Sequence, residues 1–203
     1  MSTSHPNSTP PSIRALDRIP DSEYNFVHRV EQEAPVPAAI VIWNMIDFAH
    51  VNFVHRKLYH HCKVLAASGK VHLIEYGVNQ FFFLRLPVWF RHLMWHEFVP
   101  PRTVRHISKA PWGGYTKVEV TLVEFVKEGK THTRLDHAFY LNLPLMLKPL
   151  SFLFARYINV WSSILWNEDS TMLLRRQKVL DAGFKDHPLD ALVGTEGFYK
   201  HVA

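Results

Sequence analysis

The chain has 203 residues, 47% of them hydrophobic, and a formal net charge of +5, which predicts a single domain with a sizeable core. Its one cysteine, Cys62, excludes an internal disulfide, a Cys-rich zinc site and an iron–sulfur cluster within this chain, and it favours a cytoplasmic setting. The basic residues form no block, so nothing supports nucleic-acid binding, whereas weak peripheral contact with an anionic membrane is compatible with the charge.

The first quarter of the chain predicts a disordered start, one strand and two short helices. Residues 1–20 are polar, rich in Ser, Thr and Pro, and lack the apolar centre of a secretory signal. Residues 24–34 alternate between apolar and polar, which indicates a strand. Pro37 suits the first turn of a helix that continues through the apolar residues 38–46. A second short helix or a turn is expected next.

Long strands follow, separated by turns rich in Gly and Pro. The predicted strands span residues 57–67, 70–83, 92–99, 104–109, 115–127 and 131–141. A helix is predicted over 151–182, with Gly183 placed to cap its C-terminus.

This order of elements predicts an α+β domain over residues 21–186, followed by a tail at 187–203. A curved antiparallel sheet around one long C-terminal helix would leave a deep apolar cavity, the usual place for a ligand. Among many aromatic residues, four are predicted to bind a hydrophobic substrate: Phe82, Trp95, Phe139 and Trp161. The alternative for each is that it fills the core.

One segment contains candidate metal-binding residues. Residues 44–55 read N-x-x-D-x-x-H-x-x-x-x-H. The imidazoles of His50 and His55 can meet at one metal ion if the chain turns tightly between them, and a distant carboxylate would complete a 2-His-1-carboxylate set. Asp47 precedes His50 by three residues, so its side chain is expected to orient the His50 ring through a hydrogen bond. The alternative is a chance pair in a chain with 14 histidines.

The best candidate for the third ligand lies on the predicted C-terminal helix. Glu168 and Asp169 are adjacent, so their side chains point about 100° apart. The apolar stripe through Leu165 and Met172 includes Asp169 and leaves Glu168 outside. An inward carboxylate among apolar residues needs a partner, and a metal ion would supply one.

Other histidines are not expected to bind metal. His92 and His96 are four residues apart in a predicted strand, which separates them by about 13 Å. His60 and His61 are adjacent on a strand and therefore face opposite sides, so a surface or packing role is expected for both.

The motif, followed more than a hundred residues later by Glu-Asp, resembles the catalytic domain of Rieske non-haem iron oxygenases. The resemblance implies the helix-grip fold of the START-like (SRPBCC) superfamily. It also implies mononuclear Fe²⁺ held by His50, His55 and Asp169. Asn44 would support the ligands from behind, and Asp47 would be the catalytic residue that connects the iron to the electron-delivering cluster.

The sequence departs from this family in one important respect. It lacks the C-x-H and C-x-x-H pairs of the cluster domain, so electrons would come from a separate donor protein or from the substrate. The prediction is a stand-alone non-haem iron oxygenase, an oxidoreductase acting on a bulky aromatic, isoprenoid or polyketide-type substrate. Two alternatives stay open: a START-like carrier of a hydrophobic ligand, and a non-redox cyclase or hydrolase that uses a Lewis-acidic metal or an acid–base histidine.

Overall fold

The computed structural model describes residues 23–68, 71–81, 84–85, 91–109, 114–143 and 145–184. The segment predicted to be disordered (1–20), the predicted tail (187–203) and the predicted substrate residue Phe82 lie outside the described residues.

The described chain runs from one strand through two short helices into a set of strands and a final long helix, as predicted. The strands are β1 (Asn25–Ala34), β2 (Tyr59–Ser68), β3 (Val71–Val78), β4 (Gln80–Phe81), β5 (Leu84–Arg85), β6 (Arg91–Val99), β7 (Thr103–Lys109), β8 (Tyr115–Lys127) and β9 (Lys130–Asn142). The helices are α1 (Ala38–Ile46), α2 (Phe48–Val54) and α3 (Ser151–Asp181), with a 3-10 turn at Leu145–Leu150 before α3.

Seven strands form one antiparallel sheet in the order β1-β9-β8-β7-β6-β3-β2, while β4 and β5 pair separately. The predicted α+β architecture, an antiparallel sheet with a long C-terminal helix, is therefore confirmed. The predicted strand 70–83 is too long, because β3 ends at Val78. The next residue, Asn79, donates from its side chain to the carbonyls of Arg56 and Tyr59.

Helix α1 is part of the hydrophobic core. Its residues from Ala38 to Asn44 are buried, so the helix is apolar all round, as a helix enclosed on every side should be. The backbone N–H of Ala38 donates to the Glu124 carboxylate on β8, which satisfies one of the free donors at the helix start. The core around α1 consists of Ala34, Val36, Phe98, Val104, Val120, Leu122, Leu135 and Leu173.

Helix α3 presents one face to the sheet across a cavity of about 330 Å³. Residues spaced by three and four positions along α3 line this cavity: Phe154, Tyr157, Ile158, Trp161, Ser162, Leu165, Trp166, Asp169 and Leu173. Gly183, at φ +82°, ends the helix as predicted, because a left-handed residue there favours glycine. None of the helices in the described ranges has the length and apolar character needed to span a membrane.

Candidate metal centre

The turn between α1 and α2 places the first two candidate ligands. Asp47 lies between the helices, and its carboxylate accepts from the backbone N–H of Ala49, 3.2 Å away, which caps α2. Helix α2 ends after Val54, and two backbone N–H groups that follow donate to the carbonyl of His55 in a tight turn. His50 and His55 therefore flank the last turn of a short helix, and both are buried.

Helix α3 brings two carboxylates to the same place. The Asp169 Oδ1 atom lies 3.0 Å from His55 Nε2 and 3.7 Å from His50 Nε2. The two Nε2 atoms are 3.3 Å apart. One Glu168 oxygen lies 2.9 Å from the other ring nitrogen of His55, Nδ1. Three potential ligand atoms, one from each of His50, His55 and Asp169, thus form a compact triangle at the edge of the cavity.

The hydrogen bonds fix which nitrogen of each ring carries a proton. His50 Nδ1 donates to the backbone carbonyl of Asp47, because a carbonyl only accepts. His55 Nδ1 donates to the Glu168 carboxylate for the same reason. In the neutral rings both Nε2 atoms therefore hold lone pairs, and these face each other and the Asp169 oxygen. Three lone pairs directed at one another require a cation between them, either a proton or a metal ion.

The pKa values of the two histidines move in opposite directions. Burial, together with the charge of His55, lowers the pKa of His50 despite the attraction of Asp169. Burial also acts to lower the pKa of His55, but hydrogen bonds and charges from Asp169 and Glu168 outweigh it, so that pKa is raised. Of the two rings, His55 is therefore the one that binds a proton more readily, and His50 favours its neutral form.

The residues have the spacing of a site for a first-row divalent ion. Ligand atoms about 2.1 Å from such an ion, at angles near 90–109°, lie about 3.0–3.4 Å from one another. Two of the observed separations, 3.0 and 3.3 Å, lie in this range, and the third, between His50 and Asp169, is longer at 3.7 Å. Asn44 donates from Nδ2 to Asp169 Oδ1 at 2.9 Å, so it supports this ligand from behind. Its own amide oxygen is buried and has no hydrogen-bond partner within the described chain.

One expectation about an individual side chain is wrong. The Asp47 carboxylate does not hold His50, because it caps α2, and the backbone carbonyl of the same residue orients the ring instead. Glu168 is absent from the cavity lining, as its position on the helix predicted. The sequence did not show, however, that its side chain reaches the Nδ1 atom of His55.

The described residues predicted to bind substrate separate into two groups. Phe139 on β9 and Trp161 on α3 both line the cavity. Trp95 is buried but is absent from the lining. It follows Met94, which does line the cavity, and successive residues of a strand face opposite sides of the sheet.

Sequence reasoning missed several polar residues of the cavity. Tyr59, the first residue of β2, lies beside His55 and Trp161, with ring centroids 6.3 and 5.6 Å away. Burial raises its pKa well above the usual value, so it remains a neutral phenol. His106 and His137 on the sheet also line the cavity. Alternation along a strand shows which residues share a face with each histidine. It does not show which face of the strand meets the cavity.

A second group of histidines crosses the sheet. His72 on β3 is directly opposite His96 on β6, which is directly opposite His106 on β7. We call these three residues the histidine row. The Nδ1 atoms of His96 and His106 are 3.2 Å apart, so one ring donates to the other. Burial and neighbouring histidines lower the pKa of His96 well below its usual value, and burial first of all lowers that of His106 to about 4.

Comparison by sequence identifies no relative. No protein-family model matches the chain, and no curated protein sequence matches it.

Comparison by structure identifies the fold. The Zhui aromatase/cyclase from Streptomyces sp. R1128 superposes with a TM-score of 0.53 at 13% identity, over 73% of this chain and 94% of that one. TTHA0849 from Thermus thermophilus gives 0.50 at 18% identity, over 73% and 97%. The quaternary ammonium Rieske monooxygenase CntA gives 0.50 at 14% identity, over 78% of this chain and 41% of the monooxygenase chain. At these identities the likeness establishes the helix-grip fold, and the activity has to be argued from the site.

Proposed function

We propose that this protein is a metal-dependent enzyme in which His50, His55 and Asp169 hold a mononuclear first-row metal ion, with iron(II) as the expected ion. The substrate is a small, largely apolar molecule bound in the cavity. The reaction that the site supports best is an oxygenation. This proposal extends the resemblance of the motif, although the sequence contains no C-x-H and C-x-x-H pair for an iron–sulfur cluster.

One observation carries the proposal: two imidazole lone pairs and one carboxylate oxygen converge at the edge of an apolar cavity. Each imidazole is held from behind by an acceptor, the Asp47 carbonyl for His50 and the Glu168 carboxylate for His55. Such outer hydrogen bonds fix the tautomer and orientation of metal-binding histidines. A core histidine with a purely structural role would not need its inner nitrogen directed at a carboxylate.

Bound at this triangle, iron(II) would supply a redox-active centre with open coordination positions. The chain itself performs the other tasks. The aromatic faces of Phe139 and Trp161 bind the apolar part of the substrate and exclude water. The Asp169 carboxylate would compensate part of the charge of the ion, and Tyr59, whose ring packs against that of His55, stays a neutral phenol. A monooxygenation also consumes two electrons, which a separate donor protein or the substrate has to provide.

A non-redox cyclase is the second candidate, and one observation favours it. The structural superposition with the highest TM-score given above is to an aromatase/cyclase. In a cyclase the ion would act as a Lewis acid on a carbonyl oxygen. A carrier of a hydrophobic ligand needs only the cavity and would not depend on the metal ligands.

The test begins with metal content. Untagged protein is loaded anaerobically with iron(II), passed through a desalting column and analysed by elemental mass spectrometry, with one ion per chain expected. The variants His55→Ala and Asp169→Ala should lose this ion while their circular dichroism stays native, because an open three-ligand site does not survive the loss of a ligand. The matched control is His61→Ala, which removes an imidazole that pairs with a different carboxylate, Glu75; it should keep the ion.

Oxygen uptake then separates the candidates. Uptake by loaded protein with a chemical reductant, absent from loaded-and-desalted Asp169→Ala, supports the oxygenase. Metal binding without uptake contradicts the oxygenase and leaves the Lewis-acid cyclase. A parent protein that binds no metal contradicts both enzymes and leaves the carrier.

A further inference from the structure

The wall of the cavity opposite α3 carries hydrogen-bonding groups that the metal centre does not use. Three of them are His106 and Ser108 on β7 and His137 on β9, and we call these the sheet-wall polar strip. His106 and Ser108 are two residues apart, so they share one face of β7. Most of the residues around the strip are apolar, such as Val118, Val120, Leu135, Phe139 and Leu141, while Tyr76 and Thr116 lie beside Ser108.

The two imidazoles of the strip retain nitrogen atoms for a ligand. His106 lines the cavity while its Nδ1 is engaged with His96, which does not line it, so Nε2 is the nitrogen of His106 that a ligand can reach. His137 also lines the cavity, and its Nε2, which has almost no exposed surface of its own, has no hydrogen-bond partner in the described part of the chain. A buried polar atom without a partner is costly, so a site that contains one is ready to bond a ligand.

The strip offers neutral hydrogen bonds only. Burial lowers the pKa of His106 and of His137 to about 4, so both rings are uncharged at neutral pH and each has one donor and one acceptor nitrogen. Ser108 accepts from the Tyr76 hydroxyl at 3.1 Å, which leaves its own O–H group free to donate. No lysine or arginine is found among the described residues that line the cavity. An anionic group at this wall would therefore be desolvated without a counter-charge, which is strongly unfavourable.

We infer that the sheet-wall polar strip binds a neutral hydroxyl or carbonyl oxygen of the ligand, so that the cavity takes uncharged, oxygen-bearing apolar molecules such as phenols or cyclic ketones. Pure hydrocarbons and carboxylates of the same size are bound less well. His106 and His137 are the residues that determine this specificity. The inference rests on the proposed function only in treating the cavity as the substrate site, and it does not require the metal.

The test uses three probes with the same two-ring skeleton: 1-naphthol, naphthalene and 1-naphthoate. Binding is measured by quenching of tryptophan fluorescence, since Trp161 and Trp166 line the cavity. The protein is first treated with a chelator, so that no probe can bind through a metal. The parent protein should bind 1-naphthol about tenfold more tightly than naphthalene, the factor expected for one net hydrogen bond, and 1-naphthoate should be the weakest of the three.

Variants then assign the preference to the strip. His106→Phe and His137→Phe keep a ring of similar shape and remove the hydrogen bonds, so each should reduce the preference for 1-naphthol while naphthalene binding changes less than twofold. His137→Gln keeps a donor and an acceptor and should restore part of the preference. The control is His132→Phe, at the other end of β9, where the ring bonds Glu33 rather than facing the cavity.

The outcomes separate this inference from the proposed function. Equal binding of 1-naphthol and naphthalene by the parent protein, or a preference that persists in the His106→Phe/His137→Phe double variant, overturns the inference. If a phenylalanine variant does not fold, the probe comparison in the parent protein and in His137→Gln decides. Metal content is measured in parallel on protein that has not been treated with chelator. A preserved preference in a protein that binds no metal supports the strip and contradicts the metal-dependent enzyme.

Discussion

Buried histidines form two clusters in this protein, and the two clusters have different hydrogen-bond partners. In the metal centre, the outer nitrogens of His50 and His55 donate to oxygen acceptors, so their inner lone pairs face a carboxylate. In the histidine row, described residues supply no carboxylate hydrogen bond to the rings of His96 and His106, which bond each other. The first arrangement attracts a cation and the second excludes one. Both clusters are buried, so burial does not distinguish them. The groups that bond the ring nitrogens do: oxygen acceptors in one cluster and another imidazole in the other.

The largest expected effect follows from removing the carboxylate that bonds a ring of the candidate metal centre. Without that acceptor the ring would lack a carboxylate partner, like the rings of the histidine row. Glu168→Leu removes the carboxylate that holds His55 Nδ1, which frees the ring to change tautomer and rotate. We expect metal affinity to fall by about 10–100-fold, the range found for outer partners of ligating histidines. Competition between the protein and a chelator for Co²⁺ measures this affinity.

Two further variants define the effect of Glu168. Glu168→Gln keeps an acceptor for His55 Nδ1 and should lose less affinity than Glu168→Leu. Glu31→Leu, an exposed acid on β1, is the control for a lost negative charge and should bind Co²⁺ like the parent protein. Equal affinities for the parent and Glu168→Leu would show that Glu168 does not position His55.

The sequence predicted which residues meet in the candidate metal centre better than it predicted their hydrogen bonds. Helical spacing placed Asp169 on the inner face of α3, and the structure brings it to His50 and His55. The same reasoning kept Glu168 off the cavity lining, but it could not show that this longer side chain reaches His55 Nδ1, because angular position on a helix ignores side-chain length. The hydrogen bond expected between the Asp47 carboxylate and His50 was wrong for another reason: a backbone carbonyl is available at every residue, so no residue type reveals which one orients a ring.

The histidine row could not be predicted from the sequence. The pattern showed strands over most of the relevant residues, and the antiparallel sheet is confirmed. However, His72, His96 and His106 become neighbours only through the pairing register of β3, β6 and β7. Register depends on how the turns close and on which face meets α3, and alternation within one strand contains neither piece of information.

The histidine row and its neighbours should make the metal-free protein sensitive to acid. The pKa of His106 is about 4 in the folded protein and near its ordinary value of 6.5 in the unfolded chain. Between these values the unfolded state binds the proton and the folded state does not, so the free energy of unfolding falls as the pH falls from about 6.5 towards 4. His92, also held to about 4 by burial, acts in the same direction.

A single variant measures how much His106 contributes to this pH dependence of the unfolding free energy. Near pH 5, His106→Phe should reduce the slope of unfolding free energy against pH by about 1 kcal/mol per pH unit, because close to one proton is no longer taken up on unfolding. Urea unfolding of chelator-treated protein at several values between pH 5 and pH 7 gives the slope. Phe139→Leu alters the same cavity without titrating and should leave the slope unchanged. An unchanged slope in His106→Phe would mean that His106 is protonated in the folded state.

The smallest expected effect concerns Asp47, where the structure and the family resemblance lead to different predictions. Its carboxylate accepts from the Ala49 N–H at the start of α2, while its carbonyl orients His50. Asp47→Ala should therefore cost about 1 kcal/mol of unfolding free energy, as loss of a helix cap does. Asp47→Asn, which keeps a capping oxygen, should cost a few tenths of that.

Both variants keep the carbonyl and should bind metal nearly as well as the parent protein. Urea unfolding and Co²⁺ competition measure the two quantities. If Asp47→Asn instead keeps its metal and its stability but loses reductant-dependent oxygen uptake, the carboxylate itself conducts electrons or protons to the site, as the resemblance implies, and its role as a helix cap is secondary.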